Sequence, residues 1–291
     1  MQHAGMLPWL ASDGLVEKTC AQLGIHDWRA ELTDTNWAFN NFNAQILLTA
    51  LNLTAWRQLS RALPEPGAVA GYSVGELASF ATAGVFDDNS ALALAEARAT
   101  AMDRCAVRNP GGLVAVSGLL LGEIEKLCIS CGVEVAIEND SHAVVLGGPL
   151  EALDRAAEYA RAMGAHITRL NVGLPSHTGW MKDASGEFER VLDSVSLSAP
   201  RIPLFCNAVD RIVSLNQIKR ALSEQISRTV RWSNCMENID SRRVKCVLEI
   251  GPGAALARMW NQRFPQVPAR SVDEFSTAAA IIKWVERQCD D

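Results

Sequence analysis

Ser73 stands between Gly71 and Gly75 in the segment AVAGYSVGELASFATAGVFD, after a short apolar run and ahead of a long Ala-rich helical pattern. The spacing G-x-S-x-G suits a sharp strand-to-helix elbow, because residues without bulk around the turn let the hydroxyl project above a sheet. A serine so placed can act as a nucleophile. The N–H of Val74 then falls at the N-terminus of the new helix, where unpaired donors and the helix dipole can stabilise an oxyanion. The same five residues also fit a tight turn with an N-capping serine and no chemistry. Both readings remain open from the motif alone.

A serine at its ordinary pKa needs a base, and the chain offers five histidines. His3 lies near the terminus, His26 follows a helix break, His142 sits in a hairpin turn and His166 opens a strand. His177, in VGLPSHTGWM, follows the strand pattern ITRLNV. Catalytic groups in open α/β sheets collect at such strand ends, so His177 is the candidate base, against the plainer reading of a structural histidine.

The elements that must position these residues alternate between helix and strand. FNAQILLTALNLTAWRQL (42–59) is apolar at helical spacing, and LALAEARATAM (92–102) is rich in helix formers. GAVAGYS reads as a short buried parallel strand. From Gly112 to Val172 the order is βαββαβ, the split-βαβ, ferredoxin-like pattern, expected as a small domain (112–172) inserted into a larger α/β domain (1–111 and 173–291). The larger domain resumes with the strands PLFCNAV (203–209) and VKCVLEIGPG (244–253), a helix between them and a terminal helix from about Ser276. A mainly parallel sheet covered on both faces is expected. Gly251 and Gly253 read as turn residues without chemistry.

The chain has 291 residues, 48% hydrophobic, and no apolar stretch long enough to span a bilayer, so no membrane partner is expected. Its net charge of −6, without a long basic run, argues against nucleic acid. The start lacks the basic and apolar regions of a secretory leader, which makes the cytoplasm the expected location. Eight cysteines form no framework; Cys128 and Cys131 are the close pair and read as structural thiols. No metal site is expected.

The segments GYSVGE, EARATAM, LPSHTGWM, TVRWS and EIGPGAAL follow the order and spacing of malonyl-CoA:acyl carrier protein transacylases, and the chain resembles that family over essentially its whole length. The resemblance implies an α/β-hydrolase-like large domain carrying the ferredoxin-like subdomain. It makes Ser73 the nucleophile, His177 the base and Gln225 a glutamine whose carbonyl accepts a hydrogen bond from the histidine. Arg98 becomes the group that receives the acyl carboxylate; unaided, it reads as a solvated helix charge. Asn139 matches an asparagine lining the cleft, and Val74 N–H the oxyanion donor. The implied activity is S-malonyltransfer from malonyl-CoA to the phosphopantetheine-type thiol of an acyl carrier protein, with no bound cofactor.

Two departures accompany the resemblance. The family's opening strand ends in G-Q-G-x-Q, whose last glutamine gives a second oxyanion donor; here Gln2 of MQHAGML is the matching residue. Tyr72 stands where bacterial fatty-acid enzymes have histidine, which is more like the malonate decarboxylase epsilon subunit, with that enzyme's own carrier subunit as partner. The alternatives are the fatty-acid-synthesis transacylase and an inactive subunit that only docks a carrier; a serine esterase ranks third.

Overall fold

The computed structural model describes residues 4–208, 212 and 214–290. The chain opens with helices α1 (Gly14–Gln22), α2 (Trp28–Glu31), α3 (Thr35–Phe39) and α4 (Asn41–Leu59), then enters β1 (Val69–Ala70), α5 (Gly75–Thr82) and α6 (Asp88–Arg108). Next come β2 (Gly112–Ser117), α7 (Leu121–Cys131), β3 (Glu134–Asp140), β4 (Ala143–Gly148), α8 (Leu150–Ala162) and β5 (His166–Arg169). The remainder is α9 (Lys182–Leu192), β6 (Leu204–Phe205), α10 (Leu215–Glu224), β7 (Val230–Arg231), α11 (Trp232–Asp240), β8 (Val247–Glu249), α12 (Ala255–Arg263), β9 (Ala269–Ser271) and α13 (Ala278–Asp290). Among the described residues no helix is long and apolar enough to cross a membrane.

Helix α4 organises the packing because it presents apolar residues to two cores. Ile46, Ala50 and Leu53 join one core with α5, α6 and α9, while Leu47, Leu51 and Leu59 join a second with α1 and α13. A helix that buries residues on two faces belongs inside a molecule, and each fully buried leucine contributes about 1.5–3 kcal/mol. The long helices start at side-chain caps: the Asn40 carboxamide accepts from Asn43 N–H ahead of α4, and Asp87 accepts from Ser90 N–H ahead of α6.

Strands β2, β3, β4 and β5 pair antiparallel in the order β5-β2-β4-β3, with α7 and α8 against one face; β7 then joins β3 in parallel. The other strands differ from expectation. Instead of one parallel sheet they form two parallel pairs, β1 with β6 and β8 with β9. Residues 67–72 around β1 and 244–252 around β8 border one cavity of about 1190 Å³, and no described strand lies between them. The sheet is interrupted there, which leaves the apolar residues of β1 and β8 only half-buried.

Candidate active site

The elbow is built as its glycine spacing requires. Ser73 lies between β1 and α5 with φ at +53°, a left-handed conformation rare for a residue with a side chain. Gly71 has to be glycine, since a Cβ there would lie 2.2 Å from the Glu76 nitrogen. Gly75 is different: a Cβ would meet nothing within 4 Å, so its lack of a side chain keeps space at the cavity wall rather than permitting the turn. Val74 is the N-cap residue of α5, and among the described residues no acceptor takes its N–H.

The Ser73 hydroxyl is 2.8 Å from His177 Nε2. His177 is itself in the left-handed region, with φ at +63°, and its backbone N–H is fixed to the Ile226 carbonyl at 2.8 Å. On the other side of the ring, Nδ1 lies 2.5 Å from the Gln225 main-chain carbonyl. A carbonyl only accepts, so Nδ1 carries the proton and Nε2 presents its lone pair to the serine. Burial and, next, the neighbouring Arg98 charge lower the imidazole to about 3, opposed by the Gln225 hydrogen bond. His177 is therefore neutral at neutral pH, as a base must be.

Gln225 connects the site. Its main chain holds His177, its side-chain amide donates to the Ser73 carbonyl at 3.3 Å, and its Oε1 accepts from Arg98 Nη2 at 3.1 Å. It is fully buried, unlike the surface helix residue that its sequence context suggests. Arg98 projects from α6 and is 1% exposed, so it is no solvated helix charge. Its Nη1 donates to Gln45 Oε1 at 2.5 Å, while Nε has no partner among the described residues. Burial lowers this guanidinium to about 10, with Glu76 pulling it back up.

Asn139, at the end of β3, accepts a hydrogen bond from the Tyr72 hydroxyl at 3.0 Å. Tyr72 also meets Trp232 edge to face at 5.3 Å, and all three residues line the cavity. Burial pushes the Tyr72 phenol up to about 12, so it remains a donor. His166 opens β5, where it pairs with Ser117, and His142 lies in the turn between β3 and β4; neither bonds to the serine. Gln2 and His3 lie outside the described residues. Gly253, with φ at +78°, makes a turn tied to Asp273 and Ser271. Cys128 and Cys131 are free thiols.

Three site residues escape the sequence reading: Gln45, Glu76 and Asn207. Each is a polar side chain buried next to the motifs, and the signal for two of them is local. Gln45 interrupts the apolar run of α4, and Glu76 closes the segment GYSVGE itself.

With this geometry in place, residues 35–290 match the family described as acyl transferase domain. The chain belongs to that family. This acyltransferase is 28% identical over 298 residues to the malonyl CoA-acyl carrier protein transacylase of Escherichia coli K12, covering 97% of the chain and 96% of the relative. It is 30% identical over 286 residues to the enzyme of that name from Mycobacterium tuberculosis H37Rv, covering 93% and 92%. Among solved structures, the malonyl CoA-acyl carrier protein transacylase of Coxiella burnetii superimposes with a TM-score of 0.89 at 27% identity, covering 99% of this chain and 94% of that one. A malonyl-transacylase in complex with its type II PKS acyl-carrier protein gives 0.88 at 29% identity, covering 97% and 96%.

Proposed function

We propose that this acyltransferase carries malonyl from malonyl-CoA, through an ester on Ser73, to the phosphopantetheine-type thiol of an acyl carrier protein. The observation that carries the reading is the Gln225 junction, which joins the Ser73–His177 pair to a buried, charged Arg98. His177 Nε2 takes the hydroxyl proton as Ser73 attacks the thioester, and Val74 N–H receives the developing oxyanion. CoA leaves as its thiol, taking that proton. The carrier thiol then attacks the acyl-serine by the reverse path. Arg98 holds the malonyl carboxylate throughout, because two parallel guanidinium donors match two carboxylate oxygens. Those donors rest on the neutral oxygens of Gln45 and Gln225, which a full negative charge can displace.

The same reading extends to architecture and partner. Residues 112–172 are taken as a ferredoxin-like subdomain, supported by the strand order β5-β2-β4-β3, within an α/β-hydrolase-like domain of residues 1–111 and 173–291. The carrier is taken as the malonate decarboxylase subunit, on the strength of Tyr72 before the nucleophile, and the location as cytoplasmic. Relative transfer rates to that carrier and to a fatty-acid carrier decide the recipient.

Mass measurement after mixing with malonyl-CoA tests the chemistry. A malonyl adduct forms on the native chain and is absent in Ser73→Ala, while His177→Ala slows its formation by several orders of magnitude. A folded native chain that acquires no adduct is the docking subunit instead. For Arg98, the measurement is the ratio of acylation rates with malonyl-CoA and acetyl-CoA. Arg98→Ala collapses the ratio while acetyl transfer survives, and Arg98→Lys restores part of it. An unchanged ratio in Arg98→Ala removes the basis for malonyl selectivity.

A further inference from the structure

Glu76 is a fully buried carboxylate that the transfer mechanism leaves unused. It occupies the first turn of α5, three residues after the nucleophile. Its Oε1 accepts from the Asn207 backbone N–H at 2.6 Å and from the Asn207 side-chain amide. That amide also donates to the Gly71 carbonyl at 2.6 Å. A ring of hydrogen bonds therefore runs from Gly71 through Asn207 to Glu76 and braces the elbow on both sides of Ser73. Asn207 follows β6, the strand paired with β1, and its own carbonyl accepts from Arg231 N–H at the start of α11.

The groups around this carboxylate are unequal in charge. From α6 comes Arg98, among the described residues the one charged side chain acting on it; the β6 end supplies neutral Asn207 and the end of α10 supplies neutral Gln225. His177, also under the influence of Arg98, is neutral. Above neutral pH the described residues thus place one buried cation, Arg98, and one buried carboxylate, Glu76, in this enclosure. A malonyl group adds a second carboxylate to that enclosure without a second cation, and like charges sharing a dry site cannot all remain ionised.

We propose that Glu76 is the positioning residue that balances charge at Arg98: in mildly alkaline solution it is an anion until a carboxylate-bearing acyl group settles beside Arg98, and it then takes a proton from solvent. This rests on Arg98 receiving that carboxylate. Burial already pushes the Glu76 carboxyl up to about 7, against the Asn207 hydrogen bonds and the Arg98 charge, so only a modest further push is needed for it to hold a proton at pH 8. An acyl-CoA without a free carboxylate makes no such demand.

The test uses the Ser73→Ala chain, which binds without turnover, and titration calorimetry at pH 8 in two buffers of different ionisation enthalpy. Malonyl-CoA binding takes up close to one proton more than acetyl-CoA binding, and its affinity falls roughly tenfold per pH unit above 8 while that of acetyl-CoA does not. Adding Glu76→Gln keeps an oxygen for Asn207, abolishes the extra proton and flattens the affinity profile. Equal proton uptake for the two thioesters, or uptake that persists in Glu76→Gln, overturns the proposal. Should Glu76→Gln fail to fold, the comparison of thioesters with Glu76 in place still decides. The Arg98 reading is scored separately: preference for malonyl-CoA that survives Arg98→Ala overturns that reading, whereas preference lost in Arg98→Ala with no extra proton overturns the Glu76 role alone.

Discussion

His177 must be neutral to accept the serine proton, and its enclosure ensures that over an unusual pH range. With the imidazole lowered from 6.5 to about 3, acylation by acetyl-CoA is expected to stay level from pH 8 down to pH 5. An inflection near 6.5 would mean that the histidine is solvated while working. Stability follows from the same shift. Between pH 6.5 and 3 the unfolded chain binds a proton at this position that the folded chain does not, so the His177 contribution is lost as pH falls. Glu76 acts with the opposite sign: its raised carboxyl holds a proton in the folded chain from pH 4.5 to about 7, so its contribution is lost as pH rises through that window. The two slopes oppose each other above pH 4.5, and only the histidine slope remains below it. Urea unfolding of the native chain should accordingly show the steeper acid loss below pH 4.5, and His177→Gln should reduce that slope.

At the scale of the element, the two glycines of G-Y-S-V-G do different jobs, and paired substitutions separate them. Gly71→Ala forces a methyl into the Glu76 and Gly75 backbone and is expected to cost on the order of 4 kcal/mol or fail to fold. Gly75→Ala meets no atoms and replaces glycine in a helix, so stability should hold or rise by up to about 1 kcal/mol. Its methyl faces the cavity, and the KM for malonyl-CoA should rise. Equal destabilisation in denaturant would refute that division. The elbow was legible because turn chemistry is local: a run of small residues between an apolar strand and a helical pattern has few other solutions. The helices α4 and α6 were legible for the same reason, from periodicity. Arg98 and Gln225 were reached through the family resemblance and not from their own surroundings, since their sequence neighbours suit a wetted helix face, and only the packing of α4, α6 and the end of α10 closes over them. Gln45 and Asn207 were missed because their partners lie 53 and 131 residues away in the chain.

For the molecule as a whole, the main discrepancy between pattern and structure is the interrupted sheet, and it bears directly on activity. Strand β1 delivers Ser73, yet among the described residues it is paired on one side only, with β6; β8 is likewise paired among them only with β9. Local hydrophobic pattern marks each strand but cannot say which edges find neighbours, because pairing is a long-range property. Residues 67–72 and 244–252 meet across the shared cavity, whose other walls include Leu48, Trp56 and Met259. An apolar strand fits such a space: its backbone would satisfy both open edges, and six residues extend about 20 Å. We therefore expect that adding an N-terminal segment of alternating apolar character ending in Gly-Gln-Gly, ahead of Met1, raises both the midpoint of thermal unfolding and the acylation rate. The stability gain comes from paired backbone groups and buried apolar surface. The rate gain comes from bracing the elbow and from a second oxyanion donor, worth about 2.7–4 kcal/mol or 10²–10³-fold in a comparable hydrolase. A scrambled extension rich in proline is the control, since proline cannot donate to either edge. If the apolar and proline-rich extensions leave melting temperature and acylation rate alike, the space between β1 and β8 is not a strand site, and Ser73 works on an elbow that needs no further support.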